Sequence, residues 1–296
     1  MPAAYVPEHE ADFGQNPQAV EETVLGTTPA SPTFFEIGKI HTFNVTDDTL
    51  NHKFRVLGSE DLLKAVKTGE AFAIQLGYAM FNTQFAKYGI NARGAGAGSI
   101  DKSLSILWAH KVNAALQYEI ASMCRINTGS ISITPDMVDV NMTIIAGNKT
   151  APNAAHGLGS PVFITPSAVD PFVGFSGGAN PLTHNSLNYD IPTFTMNFAR
   201  NLHAVRVNGQ LNIIDNPSTI RVIDGSFDVV RKDQILKADA RSLARRSAAY
   251  TIASGPITLT FVDMIIQQLQ EGYGAADTEI IEDTYGYEAT SVQLTG

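Results

Sequence analysis

The side chains able to do chemistry are few and scattered. Seven histidines occur: His9, His41, His52, His110, His156, His184 and His203. None lies in an HExxH helix, none has a second histidine four residues away, and there is no His-x-His. The spacing that brings two imidazoles onto one metal ion is therefore missing. Cys124 is the one cysteine, which excludes an internal disulfide and a thiolate cluster. Its setting, Ala-Ser-Met-Cys-Arg-Ile, reads as a small core residue. His156-Gly-Leu-Gly-Ser and Gly174-Phe-Ser-Gly-Gly have the composition of phosphate cradles, but both fall in a glycine-rich connector rather than between a strand and a helix. Asp47 and Asp48 are adjacent carboxylates. Adjacent residues of a strand point to opposite faces, so they read as a turn or a solvated pair. No catalytic, cofactor-binding or metal-ligating residue is nominated, no cofactor is expected, and the chain reads as a non-enzyme.

The elements that would have to position any site point the same way. Of 296 residues, 44% are hydrophobic, enough for a sizeable core, and only 17% are charged. The net charge of −9 argues against a protein that grips nucleic acid by bulk charge. No run approaches eighteen apolar residues, so no transmembrane helix or membrane partner is expected. The first residues lack a basic region followed by an apolar run, and the expected location is inside a cell or in a particle assembled there.

A repeat organises the chain. Thr42-Phe43 is followed by Arg55-Val56-Leu57-Gly58, and Thr193-Phe194 by Arg206-Val207-Asn208-Gly209, each offset by 151. Val66–Phe72 and Val222–Asp228 extend the match at an offset of 156, which predicts an insertion in the second copy. Helical spacing follows in each copy, over Tyr78–Tyr88 and Asp233–Ala248. In the second, Leu236, Ala240, Leu243, Ala244 and Ser247 share one face, and Lys237, Arg241 and Arg245 form a basic stripe. Strand-like segments close each copy, with period-two alternation in Met137–Ile144 and Glu288–Leu294. The organisation read from this is an extended arm (1–34), a first β domain (35–150), a connector loop (151–185) and a second β domain (186–296). The proline-rich arm is expected to order only in an assembly.

Charge is uneven. Lys and Arg are absent from 1–38 and from 247–296, while Arg231–Arg246 holds six basic residues. A solvated helix face accounts for this. A sharper reading pairs basic helices with the acidic segments of a neighbour, through Glu279, Glu282 and Asp283.

The lead-in Glu21–Val45, EETVLGTTPASPTFFEIGKIHTFNV, resembles the entry to tail tube proteins of tailed viruses of bacteria and archaea. RVLGSEDLLKAVKTGEAFAIQL, HKVNAALQYEIAS, MVDVNMTIIAGN, FARNLHAVRVNG and VIDGSFDVV resemble later stretches of that family. Ala109-His110 departs from the family's Gly-Cys. The resemblance implies a mainly β fold with flanking helices, a β-sandwich or barrel, here in two tandem copies. It also implies a virion structural protein whose rings stack into a tube for DNA. Implied partners are further copies of the chain, in trimeric pseudo-hexameric rings, and other tail proteins: the tape measure, the terminator and the baseplate or tip. Viral DNA would pass without specific binding. About 24 strands, spaced ~4.8 Å and tilted ~40°, give a backbone diameter of about 48 Å, leaving room for a duplex of about 20 Å. A two-domain β-sandwich binding or adhesive fibre module is the alternative. It would need exposed aromatics, whereas Trp108, the one tryptophan, sits in an apolar strand.

Overall fold

The computed structural model describes residues 13–55, 62–91, 101–112, 115–173, 182–207, 212–230, 234–252, 257–271 and 282–296. The amino-terminal segment holds β1 (Phe13–Glu21), β2 (Phe35–Glu36), β3 (Lys39–Arg55), β4 (Leu62–Ala79), α1 (Gln84–Ile90), β5 (Leu104–Val112), β6 (Ala115–Ile133), β7 (Val138–Ala146) and β8 (Asn148–Lys149). The carboxy-terminal segment holds β9 (Leu182–His184), β10 (Leu187–Tyr189), β11 (Phe194–Ala199), β12 (Val222–Val230), α2 (Ile235–Ser242), β13 (Arg245–Ile252), β14 (Ile257–Gln270), β15 (Glu282–Glu288) and β16 (Ser291–Thr295). The expected mainly β class with flanking helices holds. The strands form one open sheet, which does not close into a barrel within the chain.

Eight strands make a continuous antiparallel band in the order β3-β4-β7-β6-β11-β12-β15-β14. The long strands β6 and β14 leave this band to form hairpins with β5 and β13. β1 and β2 edge β5, while β9 and β10 edge β13. These outer strands fold back over the band. Phe43 of β3 meets Trp108 of β5 with ring centroids 5.4 Å apart, and Phe194 of β11 stacks on Tyr250 of β13 at 4.5 Å. The core lies between the layers, built from the inward-facing alternate residues of each strand. The alternation expected for Met137–Ile144 is visible in β7, where Val138, Val140, Met142 and Ile144 are buried.

Each long strand turns at a residue with positive φ, Met123 (54°) in β6 and Asp263 (50°) in β14. A bulge follows in each, between Ile126 and Thr128 and between Ile266 and Gln268. An extra residue bends a strand and sharpens its twist, which lets one strand serve two layers.

Several sequence expectations shift. Tyr78 is not helical. It is a buried strand residue between Ile40 and Val140, and α1 starts at Gln84. α2 stops at Ser242 because Leu243 adopts the left-handed conformation (φ 51°). Arg245 therefore begins β13 rather than extending the helix, and the basic stripe reduces to Lys237 and Arg241. Glu288–Leu294 is not one strand: Ala289 and Thr290 separate β15 from β16, which lie in succession along the same edge of β14. Residues 13–36 of the proline-rich lead are already placed within the single chain. Ala19 and Phe34 are buried there.

Candidate functional site: a polar face without cations

Chemistry-bearing residues are dispersed. His41 contacts Asp139 at 2.7 Å, and His110 lies 3.8 Å from Glu119. His156 accepts a hydrogen bond from the Leu158 amide and packs its ring on Tyr118 and Phe163. The Gly159 amide donates to the Ala30 carbonyl, so this glycine stretch holds the amino-terminal lead rather than facing an open cradle. His203 pairs through its backbone with Pro217. His9, Gly174–Gly178 and Glu279 lie outside the described residues, as does the side chain of His52. Among the described residues, no group of three His, Cys, Asp or Glu is placed to hold a metal ion, and no helix is long and apolar enough to cross a membrane. Cys124 is buried. Burial, helped by the negative charge of Glu22, pushes its thiol well above the ordinary range.

Two buried polar clusters fasten elements together. The Glu22 carboxylate accepts hydrogen bonds from the amides of Gly26 and Met123 (both 2.7 Å) and the hydroxyls of Ser103 (2.6 Å) and Ser105 (2.7 Å). It thereby ties the lead and β5 to the turn in β6. Asp239 of α2 receives two hydrogen bonds from Arg246 (3.2 and 3.1 Å) and lies 3.1 Å from Nε2 of the fully buried His184. Burial alone would raise the Asp239 carboxyl, but these partners outweigh it and hold it below the usual carboxylate range. Burial lowers His184, and Asp239 only partly opposes this. Sequence spacing gave no sign of either cluster, because their members come from separate elements.

The extended site is the other face of the eight-stranded band. Thr42, Gly77, Asn141, Ser130, Asn197 and Asp224 lie there in one row across the strands. They line an open trough together with Gln75, Thr128 and Thr143. Farther along stand Thr195, Ser226, Thr284 and Gln270. Hydrogen bonds fix the carboxylates laterally: Asn197 donates to Asp224 (3.1 Å), Asn141 to Asp139 (2.9 Å) and Thr284 to Asp228 (2.6 Å). The central paired stretches, 42–46, 73–79, 128–133, 138–145, 194–199, 222–230, 266–270 and 282–288, contain no lysine or arginine. The charges they carry are all carboxylates, and Asp283 points into the core. Such a surface offers hydroxyls, amides and negative charge over a wide area, with no cation to bind phosphate. α2 lies on the opposite side of β14, since Leu236 sits in the apolar core. Trp108 is buried, so the exposed aromatic that a sugar-binding module would need is not supplied by it.

The fold is thus an open antiparallel band with a broad polar face and outer strands folded over its back. The sequence model described as phage tail tube protein matches residues 18–289, and the chain belongs to that family. It is a structural component of the virion tail. No curated protein matches the chain.

Proposed function

We propose that this chain is the major tail tube subunit, that three copies close a ring, and that stacked rings form the conduit through which viral DNA leaves during ejection. The observation that carries this reading is the eight-stranded band, whose central paired stretches present a polar face without lysine or arginine. Three bands supply about 24 strands, the number whose bore of about 48 Å between backbones admits a duplex. DNA slides where no lysine or arginine releases its counterions. The tape measure, the terminator and the baseplate or tip are the partners at the ends, and assembly takes place in the host cytoplasm.

We further propose that the chain is a tandem duplication, with an arm (1–34), a first tube domain (35–150), a connector (151–185) and a second tube domain (186–296). Matching rows of paired residues support this. Phe43, Leu76, Met142 and Gly129 lie side by side in the first segment, and Phe194, Phe227, Tyr285 and Leu269 in the second. The offset is 151 on both strands of the first hairpin and at the helix starts, Gln84 and Ile235. Pairing thus favours 151 from the first hairpin to the helix starts, without the insertion that the offset of 156 suggested.

Negative-stain microscopy and native mass spectrometry of the purified chain test the proposal. Hollow tubes or rings of three chains are expected. A chain that stays monomeric at all concentrations would refute it, and six chains per ring would refute the trimer alone.

A further inference from the structure

The two segments are joined by strand pairing that the second segment does not reciprocate within the chain. β11 pairs along the carboxy-terminal half of β6, with Asn197 opposite Ser130, Phe198 opposite Gly129 and Ala199 opposite Thr128. The counterpart of β11 is β3, 151 residues earlier. The counterpart of this part of β6 is the part of β14 140 residues later, since Ile126, the bulge and Thr128 match Ile266, the bulge and Gln268. Among the described residues, β3 pairs only with β4, and Ile266–Gln270 pairs only with β15.

A second observation points to the same place. Beyond β11 the chain lies across the turn of β6 and is held by five residues. Asn216 donates to the carbonyls of Met123 and Ile145, Asp215 pairs with Arg125, Arg206 donates to the Glu70 carbonyl, and the Ile213 carbonyl packs on Gly147. The counterparts of these five are Asp263, Glu288, Ile265, Arg221 and Thr290. All five line one open groove on the second segment.

We propose that β3 of a second copy of this chain adds to β14, with Thr46 opposite Gln270, Asp47 opposite Leu269 and Asp48 opposite Gln268, and that the described base of its β3–β4 hairpin (49–55 and 62–70) lies over the groove at Asp263. This rests on the ring reading and specifies its junction. Charge is compatible with it: Asp47, paired with Lys149 of its own chain at 2.6 Å, arrives on the core side of β14, where α2 carries the exposed Arg241 and the Lys237–Glu271 ion pair fixes α2 beside the end of β14.

Directly opposed residues lie within disulfide reach, while a one-residue slip sends the side chain to the other face. The double variant Thr46→Cys/Gln270→Cys, oxidised after assembly, should run as covalent three-chain species on non-reducing gels. Asp47→Cys/Gln270→Cys should not, and Asn197→Cys/Ser130→Cys should link only within the chain. In the unmodified protein, amide exchange in 44–48 and 266–270 should slow at least about tenfold on assembly. Tubes or rings that form without the link, or that link equally through the shifted pair, would overturn the junction and leave the ring intact. Unchanged exchange in tubes would do the same. A chain that never assembles overturns both.

Discussion

Residues 49–55 with 62–70, and residues 200–207 with 212–221, extend the two matching hairpins and fold differently. The first continues the β3–β4 ladder to Arg55 opposite Leu62. The second leaves its ladder at Ala199 opposite Val222 and, among the described residues, keeps only isolated bridges, Leu202 with Ser218 and Val205 with Asp215. What the second extension gains is contact with the amino-terminal segment. Arg200 and Arg221 donate to the carbonyls of Tyr88 and Ile90 at the end of α1, where a helix favours cations. Burial lowers Arg221 to about 10, so it remains charged at neutral pH. The comparison teaches that a hairpin gives up its own pairing where a neighbouring surface offers donors and acceptors in its place.

The strongest way to break the comparison is at the turns that give β6 and β14 their two roles. Glu22→Ala strips four donors of their acceptor at the β6 turn and should cost at least about 3 kcal/mol in denaturant unfolding. The β14 turn carries its own carboxylate, Asp263, which is partly exposed, so Asp263→Ala should cost less than about 1 kcal/mol. Next is the joint between segments. Arg200→Met removes a fully buried guanidinium from the α1 terminus and should cost about 2–4 kcal/mol. Asn216→Ala releases the docked extension from two carbonyls, at about 1–2 kcal/mol, and should raise amide exchange in 212–221 while leaving β3 and β4 unchanged.

Acid sharpens the contrast further. The depressed value of His184 means the unfolded chain binds its proton first. Stability is therefore lost as pH falls from about 6.5 through the folded value. Asp239, also depressed, adds a loss only at pH below about 4. Native protein should thus weaken relative to His184→Gln between pH 7.5 and 5.5 in denaturant titrations. A constant difference would show that the imidazole does not titrate there. The smallest effect is expected for Lys237→Ala, about 0–1 kcal/mol in the single chain.

Strand alternation made β7 legible in the sequence, because a half-buried strand writes its face into every second residue. The helices were less legible. Ala-Arg-Ser-Leu-Ala-Arg-Arg-Ser-Ala-Ala-Tyr suits a helix as well as a strand, and burial of Ala248 and Tyr250 on alternate positions decided for β13. The break after Glu288 follows from the turn at Asp263 on the partner strand, where the Thr290 amide reaches the Val262 carbonyl. No local pattern announces that. The polar face was hidden for a similar reason. Its row of Thr42, Asn141, Ser130 and Asn197 exists only once strands far apart in sequence are set side by side.

In the proposed ring of three duplicated chains, the pairing of β11 with β6 inside one chain also bears on how fast closure can occur. Six separate units would each forfeit translational and rotational freedom at every junction, and the nucleus would depend steeply on concentration. With units linked in pairs, half of the junctions form at the effective concentration set by the tether rather than by bulk protein. Three associations would then complete what would otherwise need six, so closure of the proposed ring would remain rapid when the subunit is scarce.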